Sequence, residues 1–348
     1  MHMADALISP AVGATMWTAT IALMAYSVKK VQEDHDDKKV PLMGVMGAFI
    51  FAAQMINFSI PATGSSGHLG GGLLLAALLG PYAGFLTMSS VLIIQALFFG
   101  DGGLLALGCN IFNLGFYTCF VAYPLVYKTL LRGNPHSSRL YAATLLAAVL
   151  GLQFGSVSVV AQTALSGRTE LPFRTFLLLM QPIHLAIGLV EGLVTVAVLK
   201  FIAQARPEML DTTLSTPNRN SLSRQKVLLI LTGAALSTGA MFSWFASEQP
   251  DGLEWSMSKI IGQSELTSPQ GIHDTLANLQ NHTSLLPDYS FKKDAGSSSP
   301  AAPEAPPHVD AARSLSGVLG GALTLLLAGS IGFIMSRMKR HKRLLKAV

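Results

Sequence analysis

The chain opens Met1-His2-Met3, and a second histidine, His68, lies in the glycine-rich stretch TGSSGHLGGG. A free N-terminal amine, the amide nitrogen after it and the His2 imidazole close one five-membered and one six-membered chelate ring on a single cation. An unprocessed Met1-His2 start is therefore a tridentate nitrogen ligand, and a fourth nitrogen from His68 completes a plane. Four nitrogens in a square suit Ni(II) or Cu(II), whereas zinc prefers a tetrahedron and magnesium or calcium prefers oxygen. Alone, an MH start is an ordinary initiator sequence, so the chelate depends on elements that carry both histidines to one place.

Those elements are membrane helices. Half of the 348 residues are hydrophobic and only 12% are charged, with a mean hydropathy of +0.47, which excludes disorder and is unusual for a soluble domain. A spanning helix needs roughly 20 apolar residues. Runs of about that length lie near 9–28, 41–60, 82–99, 105–131, 140–165, 175–203, 227–246 and 314–336. A shorter segment, 69–79, reaches only about 16 Å before Gly80-Pro81; such a piece is tolerated where protein covers it or water lines it, and it marks a cavity.

With that segment counted as the third of nine, the basic residues fall on odd-numbered connections: Lys29, Lys30, Lys38 and Lys39; Lys128, Arg132 and Arg139; Arg206, Arg219, Arg224 and Lys226; and the final RMKRHKR. The positive-inside bias then places the N-terminus outside, the C-terminus in the cytoplasm, and the chain as a multi-pass protein of the cell membrane. Arg168 and Arg174 count weakly against this. His68, on the turn between the second and third segments, falls on the same outer side as Met1. The first span lacks a basic n-region and a convincing cleavage site, so no cleavable signal peptide is expected. Cys109 and Cys119, ten apart in one apolar span, suggest neither a disulfide nor a CxxC metal site.

Composition divides the chain into a seven-segment unit (1–203), a polar cytoplasmic linker (204–226), a two-helix transmembrane hairpin (227–336) with a long extracytoplasmic loop (247–313), and a basic tail (337–348). The loop ends in GSSSPAAPEAPPH, too rich in Ser, Pro and Ala to pack. The fold expected is an all-α polytopic membrane protein, a seven-segment bundle plus a two-helix hairpin.

MHMADALISP, SSGHLGGGLLLAALLGPY, GDGGLLALGCNIFN and HLAIGLVEGLVT together resemble the M-type substrate-binding subunits, NikM or CbiM, of nickel and cobalt energy-coupling factor transporters, over residues 1–203. PDGLEWS, at 250–256, resembles the signature of the small N-type subunit, here fused. The resemblance implies that the subunit captures the ion while a separate T-type transmembrane coupling subunit and A-type ATPases power uptake. It implies metal ligands at Met1, His2 and His68. It also tilts the cargo toward Ni(II), with Co(II) as the alternative.

Other polar residues in apolar surroundings carry weaker expectations. Asp101 and Asn110 lie where they could orient His2 or His68, as partners of metal-binding histidines do. His184 and Glu191, seven apart and on one helix face, read as a structural pair, and Met3 as a packing residue rather than an axial thioether. The stripe Gly44, Ala48 and Ala52 lets a helix approach closely, either inside the protein or against the coupling subunit. Gly317 and Gly321 form a G-x-x-x-G that offers a docking face for the hairpin. The tail RMKRHKRLLK suits anionic lipid headgroups rather than nucleic acid. No G-x-x-x-x-G-K-[ST] phosphate loop is present, so the chain is expected to be a transporter subunit without an ATPase site of its own and not an enzyme. A metal-dependent membrane hydrolase built on His184 and Glu191 is the alternative of another class, but H-x6-E lacks the H-E-x-x-H spacing of a zinc helix. A metal sensor or scaffold, a third class, would not accumulate metal in cells.

Overall fold

The computed structural model describes residues 2–33, 39–132, 137–210, 222–264, 266–267, 270–292 and 309–347. Met1, Lys38, Arg219 and the segment GSSSPAAPEAPPH lie outside the described residues. The chain is an all-α polytopic membrane protein. In order, its elements are α1 (Pro10–Glu33), α2 (Lys39–Gln54), the strands β1 (Phe58–Ile60) and β2 (Ser65–Gly67), α3 (Gly72–Leu79), α4 (Pro81–Phe99), α5 (Leu107–Leu131), α6 (Ser137–Ser166), α7 (Phe173–Ala205), α8 (Arg224–Ala240), α9 (Gly252–Ile261), α10 (Ile272–Thr283) and α11 (Ala311–Ala347). Among the described residues six helices, α1, α4, α5, α6, α7 and α11, are long and apolar enough to cross a bilayer.

Two expected spans are shorter than the apolar runs suggest. The run 41–60 stops being helical at Gln54, leaving α2 about 24 Å long. Pro61 bars a continuing helix, and the chain turns into an antiparallel hairpin pairing Phe58 with Gly67, Ser59 with Ser66 and Ile60 with Ser65. The run 227–246 is helical only to Ala240 and ends in a 3-10 turn, Phe242–Phe245. Helix α3 is shorter still, about 12 Å, and all eight of its residues are buried. Protein thus covers the backbone ends that lipid could not satisfy. The break between α3 and α4 falls at Gly80, whose φ of 82° is a conformation that side chains disfavour, and Pro81 opens the next helix.

Between helices in lipid the driving force is close packing rather than escape from water. The small-residue stripe of α2 supplies it. A Cβ on Gly44 would lie 2.9 Å from the Leu325 carbonyl oxygen, and one on Gly47 would lie 3.1 Å from Thr324 Cγ2. Helix α11 therefore occupies that face, which corrects the coupling-subunit role considered for Gly44, Ala48 and Ala52. The G-x-x-x-G of α11 is split between two jobs. Gly321 faces Ala48 of α2, whereas Gly317 lies against Gly239 of α8, where any Cβ would overlap the backbone.

The described part of the connection between α8 and α11 is folded against the bundle. Ser66 N–H donates to the Pro250 carbonyl at 2.8 Å, and Trp255 Nε1–H donates to the Thr63 carbonyl at 3.0 Å, fixing the start of α9 to the β-hairpin. From α10, Gln280 Nε2 donates to the carbonyls of Ala96 and Gly102 at 2.8 and 2.7 Å. His273 Nε2 bonds the Ile8 carbonyl at 3.0 Å. These contacts gather the first residues described, the His68 loop, residues 100–103 and helices α9 and α10 at one end of the bundle.

Candidate metal site

Helix α4 ends in a π-wound turn, Gln95–Phe99, a local widening found often at functional sites. Gln95 is fully buried there. It begins a chain of amides whose orientation can be read from one end. Gln54 Nε2 donates to the Gly70 carbonyl at 2.7 Å; a carbonyl only accepts, so Gln54 Oε1 is left to accept from Gln95 Nε2 at 2.8 Å. Gln95 Oε1 then faces His2 Nε2 at 3.2 Å, and His2 must carry its proton on Nε2. Its Nδ1, the atom that closes the six-membered chelate ring, keeps a lone pair. The same logic applies to His68: Nδ1 lies 3.0 Å from the Leu69 carbonyl and donates to it, so Nε2 keeps the lone pair.

The two imidazoles lie side by side, with ring centroids 4.9 Å apart and planes 25° apart. Two imidazoles bound cis to one ion have centroids separated by roughly 4.5 Å, and a trans pair by roughly 6 Å, from metal–nitrogen bonds of about 2.0 Å. The observed separation is near the cis value. Burial lowers the pKa of both rings, that of His68 to about 3, so both are neutral, the state in which an imidazole can coordinate a metal.

Asp101 Oδ1 lies 3.4 Å from His2 Nδ1. A carboxylate facing that nitrogen is answered either by a proton on Nδ1 or by a bound cation. Its other oxygen, Oδ2, accepts from the Tyr289 hydroxyl at 2.5 Å, and burial together with the Asp101 charge pushes the Tyr289 phenol upward, keeping it a donor. Asn110 acts one residue further along: its Oδ1 accepts from Met3 N–H at 2.8 Å and its Nδ2 donates to the Met3 carbonyl at 3.2 Å. It fixes the backbone after His2 and touches neither ring. Met3 is fully buried, its sulfur near Asn113, a packing residue. Met1 lies outside the described residues. Among the described residues no three His, Cys, Asp or Glu side chains cluster to hold a metal.

His184 and Glu191 do not pair, contrary to expectation. His184 Nδ1 bonds the Met180 carbonyl of its own helix at 2.8 Å, while Glu191 Oε2 accepts from Gly70 N–H at 2.7 Å and braces the His68 loop. His184 lines a small pocket of about 10 Å³ with His68 and Asp251. A larger cavity of about 450 Å³ opens over His2 and His68. Five carboxylates line it, Asp5, Asp101, Asp251, Glu254 and Asp288, against the single arginine Arg313. A cleft of that sign concentrates cations.

Sequence reasoning missed Gln54, Gln95, Tyr289 and the roles of Glu191 and Asp251. The first two carried a signal, since amides inside apolar runs need partners. Tyr289 carried none.

Residues 2–209 match the family described as CbiM, cobalt uptake substrate-specific transmembrane region, and residues 225–337 match the PDGLE domain. An Archaeoglobus fulgidus protein named as a fused nickel transport protein, NikMN, is 30% identical over 340 residues, covering 98% of this chain and 99% of its own. The cobalt transport protein CbiM of Sorangium cellulosum is 29% identical over 225 residues, 61% of this chain and 95% of its own. A crystal structure of a transition metal transporter is similar with a TM-score of 0.52 at 31% identity, covering 60% of this chain and 96% of that one.

Proposed function

The chain belongs to the CbiM family and carries a PDGLE domain, and from that premise we propose that it is the substrate-binding subunit of an energy-coupling factor importer that captures Ni(II). The observation that carries this reading is the amide chain from Gly70 through Gln54 and Gln95, which leaves His2 Nδ1 as an acceptor facing Asp101. Completed by the Met1 amine, the His2 amide nitrogen and His68, the donors form a nitrogen plane suited to Ni(II).

In this reading residues 1–203 bind the ion, 204–226 form a cytoplasmic linker, 227–336 form the hairpin, and the tail 337–348 meets anionic lipids. The end holding His2 and His68 is extracytoplasmic. A T-type coupling subunit and A-type ATPase subunits drive transport. Co(II) is the second reading, favoured by relatives named as cobalt transport proteins. The hydrolase alternative loses its support, because His184 and Glu191 bond elsewhere.

Uptake of labelled nickel by cells expressing the chain with and without its ATPase partners tests the role. ATPase-dependent accumulation that a one-residue N-terminal extension abolishes is expected. Accumulation unaffected by the extension would remove the amine from the site. A tenfold preference for cobalt in competition would reverse the choice of metal.

A further inference from the structure

The PDGLE motif, at 250–254, is joined to the strand that leads to His68. Ser66, two residues before His68, donates its N–H to the Pro250 carbonyl at 2.8 Å and its hydroxyl to the Gln249 carbonyl at 2.6 Å, and it forms a parallel bridge with Asp251. Gly252 sits so close to α7 that a Cβ there would come within 2.5 Å of Ile183 and 3.3 Å of His184 Cε1. That approach brings Asp251 inward. It lines both the large cavity with His2 and His68 and the small pocket with His68 and His184.

Asp251 Oδ1 caps α9, accepting from Leu253 and Glu254 N–H at 2.8 and 2.9 Å.

A divalent ion held by three neutral nitrogens and one amide nitrogen that has given up its proton, as an amide must to coordinate, carries a net charge of +1. A buried charge is costly unless it is countered. Asp101 answers it on the His2 side, where it also holds Tyr289. On the His68 side the facing carboxylate is Asp251. The geometry points to Asp251 as a counter-charge of the bound cation, so that the metal site of the CbiM-like unit is completed by a carboxylate from the PDGLE unit. This rests on the site reading given under Proposed function.

The test is Asp251→Asn in the full chain with a native N-terminus, titrated with Ni(II) against a chromophoric chelator. Thermal unfolding is measured in parallel without metal. Asparagine caps a helix as well as aspartate does, so the variant removes the charge and keeps the bonds to Leu253 and Glu254. The affinity is expected to fall at least tenfold with metal-free stability unchanged, and Asp251→Ser is expected to do the same. His68→Ala separates the two layers. If His68→Ala retains the ion, the site reading itself fails. If His68→Ala loses the ion while Asp251→Asn binds within twofold of the parent chain, this inference alone is overturned. An affinity loss matched in both Asp251 variants by an equal loss of metal-free stability would also overturn it, since the residue would then only hold α9 in place.

Discussion

Gln95→Leu isolates the argument from tautomers. Leucine approximates the buried volume but removes both bonds of the amide, to Gln54 at 2.8 Å and to His2 at 3.2 Å. Two costs follow. Gln54 Oε1 is left buried without its donor, which costs about 1–3 kcal/mol of folding stability. His2 loses the acceptor that keeps its proton on Nε2, and its Nδ1 is then free to take the proton and donate to Asp101 Oδ1, 3.4 Å away. Metal must displace that proton before the chelate can close. Loss of such an orienting partner typically weakens metal binding by about 10- to 100-fold, equivalent to about 1.4–2.7 kcal/mol. Competition titration with a chromophoric chelator on the detergent-purified chain reads the affinity, and metal-free unfolding reads the stability separately. Because Gln54 sets the orientation of Gln95, the double variant Gln54→Leu/Gln95→Leu should bind no more weakly than the worse single variant. Affinity of Gln95→Leu within twofold of the parent chain, or additive losses in the double variant, would refute the reasoning.

Tyr289→Phe keeps the ring stacked on Phe99, 5.2 Å between centroids, and removes the hydroxyl that ties the connection between α8 and α11 to Asp101. Release of nickel to an excess of chelator should quicken; an unchanged rate would disconnect that connection from the site. Lowered pH should destabilise the metal-free protein from about pH 6.5 down toward 3, because the unfolded chain takes up protons on His68 that the folded chain, with a pKa of about 3, refuses. Stability rising over that interval would contradict the burial of the ring. Gly317→Ala drives a Cβ into the Gly239 carbonyl oxygen and should cost about 1–3 kcal/mol through overpacking, seen as a lower unfolding temperature. Gly233→Ala, in the interior of α8 with no atom within 4 Å of its Cβ, should instead stabilise by about 0.5–1 kcal/mol.

The parts of the fold written as long apolar runs were legible in the sequence because a bilayer demands uninterrupted helix. The limits of α2 and α8 were not, since apolar residues continue past Gln54 and Ala240 into turns that tertiary contacts satisfy. His2 and His68 stood out through ligand chemistry, and the structure brings their rings together. Asn110 was visible as a polar residue in an apolar segment, but whether it held a ring or the Met3 backbone depended on a contact 107 residues away in sequence. The same holds for Glu191, whose partner is Gly70 rather than the histidine on its own helix face. Tyr289 lies in an irregular stretch, and its contact with Asp101 spans 188 residues, a relation that no local pattern encodes.

X-ray absorption on the purified, nickel-loaded chain with an unmodified N-terminus tests the central claim most directly. A nitrogen plane from Met1, His2 and His68 gives a square-planar, diamagnetic centre with four nitrogen neighbours and outer-sphere scattering from two imidazoles, one of which disappears in His68→Ala. Six oxygen-rich neighbours, a sulfur at full occupancy, or an unchanged imidazole signal in His68→Ala would contradict it.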